Sequence, residues 1–206
     1  MTSLPDYERS VFVNCPFDLQ YRPLFEAITF AVFDCGFRAR CALEVEDSSV
    51  PRLEKIFNII TECRFGITDL SRTEVDGRTQ LPRFNMPLEL GIFLGARRYG
   101  QGEQARKACL VMDREKDRYR TFISDLAGQD VRIHGDRPKE AIAVVRDWLR
   151  SVSQRPGIPG GREISDRYAV FRRELPTLRR NLNLSRGKLI FVDYAWLVSE
   201  WLKLNA

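Results

Sequence analysis

The chain has 206 residues, 44% of them apolar and 30% charged, with a formal net charge of +5 at pH 7. That length supports one sizeable core with room for a small appendage, and the composition is that of a globular protein rather than a disordered or low-complexity one. No apolar run approaches the roughly 18–20 residues that span a bilayer, and MTSLPDYERS at the start lacks the basic end and apolar centre of a secretion signal, so a cytoplasmic protein with no membrane association is expected.

SVFVNC (10–15) is a β-branched and aromatic run that predicts a first strand, with PFD as the loop after it. From Tyr21 to Cys35, Leu24, Phe25, Ile28, Val32 and Phe33 recur at helical spacing, and Gly36 stands where a helix stops. FRARCALE (37–44) predicts a second strand. DSSVPRLEKIFNIITEC (47–63) opens with N-cap residues and a proline, then repeats apolar residues at 53, 56, 57 and 60, a second helix. RFGITDLS (64–71) predicts the third strand, and a loop rich in Arg, Gly and Pro (72–83) leads to a third helix in FNMPLELGIFLGARR (84–98), with Met86, Leu90, Phe93 and Leu94 on its apolar face. KACLVMD (107–113) and VRIH (131–134) predict the last two strands, separated by a short helix over 118–128, and RPKEAIAVVRDWLRSVS (137–153) is a further amphipathic helix with Ala141, Val144, Val145 and Leu149 inside.

Strands alternating with helices imply a parallel sheet covered on both faces, with right-handed crossovers. The expected fold for 1–153 is therefore α/β, a five-stranded Rossmann-like (flavodoxin-like) domain. QRPGIPGGRE (154–163) reads as a linker. The aromatics beyond it, Tyr168, Phe171, Tyr194, Trp196 and Trp201, predict that 154–206 ends in a small helical extension, packed on this domain or on a second subunit.

Cys15, Cys35, Cys41, Cys63 and Cys109 are odd in number and form no CxxC pair, so reduced, buried thiols are expected. The lone histidine, His134, has no metal-binding company, which argues against a metal site and against a Ser-His-Asp hydrolase. No GxxxxGK[ST] occurs, and NCPFD stands where a GxGxxG would follow the first strand, which disfavours P-loop NTPases, kinases and dehydrogenases. The run 172–188 carries Arg172, Arg173, Arg179, Arg180, Arg186 and Lys188 against Glu174 alone. Such a run can track phosphates, but a solvated basic helix face is the simpler account, so nucleic acid is a disfavoured partner.

Open α/β sheets bind ligands beyond the C-terminal ends of their strands. Asn14 and Asp18 follow the first strand, Glu44 ends the second with Glu46 and Asp47 beyond it, Asp69 and Ser71 end the third, and Arg83, Asn85 and Glu89 lie at the start of the third helix. Each has a plainer use: Asp47 and Ser48 as helix caps, Asp18 and Asp69 as turn acceptors, Glu44 and Glu46 as solvated charges, and Glu89 paired with Arg83 or Arg38. Glu89 stands apart because it lies within an apolar run, where a carboxylate is costly unless paired or used. Arg38, Arg40, Arg72 and Arg83 are candidates for phosphate contacts.

VFVNCPFD resembles the opening of nucleoside 2-deoxyribosyltransferases and of bacterial TIR domains, and GITDLSR with FNMPLELGIFLGARR resembles the deoxyribosyltransferase pattern of a strand-end Asp followed by a helix with Glu-Leu-Gly. The resemblance covers roughly residues 10–135; where those enzymes carry a further acid shortly before the glutamate, this chain has Arg83 and Asn85. It implies that Glu89 is the catalytic residue of N-glycosidic bond cleavage, with Asp69 holding ribose hydroxyls or the base. Asn14, Asp18, Glu44, Ser71, Asn85 and Arg83 complete the expected substrate site. It implies a nucleotide as ligand, NAD⁺ first among the candidates and as substrate rather than cofactor, a homo-oligomer, and a role as effector or signal producer in antiphage defence. The alternative is a non-catalytic TIR-like module that binds a nucleotide or a partner protein.

Overall fold

Five strands, β1 (Ser10–Asn14), β2 (Arg38–Arg40), β3 (Phe65–Asp69), β4 (Ala108–Asp113) and β5 (Arg132–Ile133), form one parallel sheet in the order β2-β1-β3-β4-β5 in the computed structural model, which describes residues 7–74, 83–184 and 189–205. The helices are α1 (Arg22–Asp34), α2 (Arg52–Thr61), α3 (Asn85–Tyr99), α4 (Pro138–Ser153), α5 (Gly161–Asn181) and α6 (Phe191–Asn205). This is the Rossmann-like, flavodoxin-like architecture that the alternation of elements predicts. Among the described residues, no helix is long and apolar enough to cross a membrane.

Because side chains alternate along a strand, the two sheet faces build separate cores. Val11 and Val13 of β1, Phe65 and Ile67 of β3, and Leu110 and Met112 of β4 pack with α1 and α4. Phe12 faces the other way, onto Ile56, Ile59 and Ile60 of α2 and Phe93 of α3. The register keeps these sets aligned, with Val13 beside Ile67 and Ile67 beside Leu110. Gly66 is required here: a Cβ at this position would sit 2.8 Å from the Phe93 ring, so the missing side chain is what lets α3 lie close against the sheet.

Several elements differ from the sequence expectation. The segment 118–128 forms two 3₁₀ turns, Arg118–Thr121 and Ser124–Leu126, instead of a helix. Arg118 is drawn inward to Asp113, Thr73 and the Leu70 carbonyl. The second strand stops at Arg40, whose guanidinium binds Glu44 at 2.6 Å and Glu62 at 3.0 Å and draws 41–44 into a turn. α2 begins only at Arg52, since Asp47 accepts from Ser49 in a turn of its own and caps no helix. α5 continues through Pro176 to Asn181, although that proline gives the Arg172 carbonyl no donor. Of the loop 72–83, residues 75–82 lie outside the described residues, as do 185–188 of the basic run.

The C-terminal helices pack on α1 and share its core. Phe30 of α1 lies 5.3 Å from the Tyr168 and Phe171 rings and 6.0 Å from Trp201. Polar links cross the same boundary: Arg167 grips Asp34 through two bonds of 2.7 and 3.0 Å, and Tyr194 donates to the Glu26 carbonyl at 2.9 Å. Trp201 donates to Glu174 at 2.7 Å, which ties α6 to α5. Phe171→Ala is expected to destabilise the whole chain by about 3–5 kcal/mol in one cooperative transition. Urea unfolding followed by tryptophan fluorescence checks this; an early, separate transition of the extension would contradict it.

Candidate functional site

The order β2-β1-β3 makes a topological switch point between β1 and β3, where chain connections leave in opposite directions and a crevice opens beyond the strand ends. A pocket of about 430 Å³ lies there, lined by Asn14 to Asp18 after β1, Arg52 at the start of α2, and Arg83, Asn85, Met86 and Glu89 at the start of α3. Its walls follow from local structure. Asn14 ends β1 and donates its amide to the Met86 carbonyl at 2.9 Å, fastening the first turn of α3 to the strand. Asp18 accepts from the Gln20 and Tyr21 amides at 3.1 and 3.0 Å, which closes the loop entering α1. Its second oxygen meets Arg83 at 3.3 Å.

Glu89 is only 6 % exposed. Its carboxylate has no hydrogen-bond partner among the described residues, and burial raises its pKa from 4.5 to about 7, opposed only by the charge of Arg52. Arg52 stands at the first position of α2, where the helix dipole disfavours a cation. Pairing of Glu89 with Arg83 or Arg38 is not what the structure has, since Arg83 pairs with Asp18. Cys15 lines the same pocket, yet burial first and then the nearby Asp69, Cys41 and Glu89 push its thiol well above the usual range. It has no thiolate character with which to act as a nucleophile.

Of the expected site residues, the structure brings together Asn14, Asp18, Arg83, Asn85 and Glu89. Glu44, Asp69 and Ser71 are not on that pocket's wall. Glu44 is committed to Arg40. Asp69 shares strand parity with Phe65 and Ile67, so it points to the sheet face opposite Asn14. There it accepts from the Tyr21 hydroxyl at 2.7 Å and, through its other oxygen, from the Ser71 amide at 2.7 Å. The Asp136 amide donates to His134 Nδ1 at 3.1 Å, so the neutral ring carries its proton on Nε2. Nε2 lies 2.8 Å from Asp69 Oδ2, close but poorly aligned for a hydrogen bond. Burial alone would raise the Asp69 pKa, but His134, Ser71 and Tyr21 outweigh it and hold the carboxyl below the usual range. Among the phosphate candidates only Arg83 reaches the pocket: Arg40 is committed to its carboxylates, and Arg38 and Arg72 are not on the wall.

Sequence reasoning misses Arg52 and Asp113. An arginine opening a helix against the dipole is the signal that could have found the first. Asp113 ends β4 fully buried and holds Arg118 at 2.9 Å, a use visible only when the strands are assembled. No group of ligating side chains suited to a metal occurs among the described residues. No protein-family model, curated protein or solved structure matches the chain.

Two expectations follow. A carboxyl whose folded pKa lies above its unfolded value contributes stability that is fully present below the unfolded pKa and lost as pH rises through the folded one. For Glu89 that window runs from 4.5 to about 7. Glu89→Gln should therefore stabilise the protein at pH 8, by about 1–3 kcal/mol or roughly 2–4 °C in Tm per kcal/mol, with the gain vanishing at pH 4; melting curves at both pH values check this. Asp69→Asn should destabilise by about 3–5 kcal/mol, because it breaks a buried charged network, and a loss below 1 kcal/mol in urea unfolding would contradict that assignment.

Proposed function

We propose that the protein cleaves the C1′–N glycosidic bond of a nucleotide, with NAD⁺ first among the substrates. The observation that carries this is Glu89: a buried carboxylate without a hydrogen-bond partner among the described residues, in a pocket at the sheet's switch point, flanked by the guanidinium groups of Arg52 and Arg83. A glutamate that served only packing would gain nothing from burial without a partner at the wall of a crevice, whereas a glycosidase uses a poorly solvated carboxylate beside C1′.

In the proposed reaction the C1′–N bond breaks with both electrons passing to the base. The positive charge left on the sugar is stabilised by the Glu89 carboxylate, as an ion pair or as a covalent glycosyl ester. Water then adds to C1′ and releases a proton to solvent. Nicotinamide is bound through a positively charged ring nitrogen, so it takes up the electron pair and leaves neutral, with no general acid. That suits a pocket whose chain has one histidine, itself fully buried beside Asp69. Arg52 and Arg83 are the proposed phosphate contacts and Asn85 the proposed partner of a ribose hydroxyl. Phe17 and Met86 supply apolar surface beside these polar groups, which strengthens the charge stabilisation.

The proposal extends to a homo-oligomer, supported by exposed apolar side chains beside the pocket: Leu53 and Phe57 on α2, Phe84 before α3 and Leu88 on it. Depletion or conversion of NAD⁺ as a defence response is the cellular role proposed with it.

The test is incubation with NAD⁺, NADP⁺ and simple nucleotides, with products separated by chromatography. Wild type should release nicotinamide, and Glu89→Gln should lower the rate at least 100-fold while remaining folded. Because the carboxylate form is required, kcat/KM should rise with pH and level off above about 7. A rate that falls above that pH would make Glu89 a general acid instead, and equal turnover by both proteins would sink the proposal.

A further inference from the structure

A second cavity, of about 150 Å³, lies on the other side of the loop that follows β1. Phe17 lines both this cavity and the Glu89 pocket, so one side chain forms the partition between them. Four aromatic rings enclose the space. Phe25 of α1 meets Phe17 edge to face at 5.3 Å and Phe191 of α6 at 5.8 Å, and the fourth ring, Tyr194, is fixed by its hydroxyl on the Glu26 carbonyl. An apolar cavity of that volume encloses a single flat ring of about benzene size, so a fused purine enters with one ring and leaves the other at the exposed rim of Glu46 and Ile190.

The polar groups at the wall restrict the kind of ring. Glu26 is occupied by Arg22 at 2.7 Å. Glu46 is exposed and has no hydrogen-bond or ion-pair partner among the described residues, which makes it a free acceptor beside an aromatic slot. A flat ring that enters here gains stacking and edge contacts from the phenylalanines and an N–H donor to Glu46. Pyrimidine, purine and nicotinamide groups carrying an amino or amide nitrogen have this chemistry; an unsubstituted hydrocarbon ring or a bare sugar does not.

The slot is also incomplete without the C-terminal extension. Leu189, Ile190, Phe191 and Tyr194 supply one wall, while α1, Phe17 in the loop after β1 and the turn after β2 supply the rest. We infer that this cavity is the subsite for a flat nitrogen heterocycle of the nucleotide, and that α6 and the residues before it serve to build it. The choice of a nucleotide rests on the function proposed above; the slot's preference for an N–H-bearing aromatic ring rests on its own walls.

The full-length Glu89→Gln protein allows binding to be read without turnover. Its affinities for ADP-ribose, nicotinamide mononucleotide and ribose 5-phosphate are measured by calorimetry. Two further substitutions are then added singly at exposed side chains: Ile190→Trp, which fills the slot from its rim, and Glu46→Ala, which removes the acceptor. Val192→Trp, exposed and off the cavity wall, serves as the control. The expected result is at least a tenfold loss of affinity with Ile190→Trp and a smaller loss with Glu46→Ala, for one of the two base-bearing ligands. Ribose 5-phosphate and Val192→Trp should show no change. Loss for ADP-ribose assigns the slot to adenine, and loss for nicotinamide mononucleotide assigns it to nicotinamide.

Unchanged affinity of both base-bearing ligands would overturn the inference, as would equal losses for ribose 5-phosphate or no binding of any of the three. The two proposals fail separately. Glu89-dependent base release with an unaltered KM in Ile190→Trp removes the subsite and leaves the glycosidase. Binding sensitive to Ile190→Trp without any Glu89-dependent product removes the glycosidase and leaves the subsite.

Discussion

The bond from the Asn14 amide to the Met86 carbonyl fixes the first turn of α3 to the end of β1. About two helical turns further on, the Phe93 ring rests over Gly66, in space that a side chain at that position of β3 would fill. α3 is held against the sheet at both points, and Glu89 lies between them. Its isolation follows from that restraint. Burial in that position raises its pKa to about 7. An interior glutamate of this kind weakens the fold near neutral pH, as functional groups commonly do.

The two sheet faces divide the polar residues into separate systems. Asn14, on the α2–α3 face, serves the pocket. Asp69, one residue past Thr68 on the neighbouring strand, serves the α1–α4 face and is consumed by Tyr21, Ser71 and His134. That second system also supports the pocket indirectly, because Tyr21 closes the loop in which Asp18 and Phe17 stand. The Asp69 network therefore belongs to the architecture that holds the pocket's edge, and Glu89 to its interior.

The extension has a comparable double role. Phe171, Tyr194 and Trp201 cover the outer face of α1 with aromatic surface, and Arg167 neutralises Asp34, whose side chain is almost fully buried. The same segment forms one wall of the aromatic slot beside Phe17. An α1 bare of these helices would expose a broad apolar face, so the linker-like QRPGIPGGRE connects parts of one packed body. Its composition reports the turn it makes; the contacts that follow the turn decide how the helices dock.

Much of the fold is legible in the sequence. Strand and helix periodicities differ, and SVFVN, FGITD and ACLVMD can bury themselves in only one way, so the order of elements and the parallel sheet follow from the chain itself. Glu89 is legible for the same reason, as a charge at an apolar helical position. Short elements are not: the 3₁₀ turns at 118–126 and the three-residue β2 depend on Arg118 and Arg40 reaching distant carboxylates and carbonyls. The membership of the pocket also needed the tertiary structure. Strand parity shows that Asn14 and Asp69 point to opposite faces only when the register of β1 against β3 is known, and Arg52 lines the same pocket as Glu89 only because α2 and α3 share a face. Local sequence determined which residues are hydrophobic, periodic or out of place. Long-range packing decided which polar groups meet, because those contacts join residues far apart in the chain.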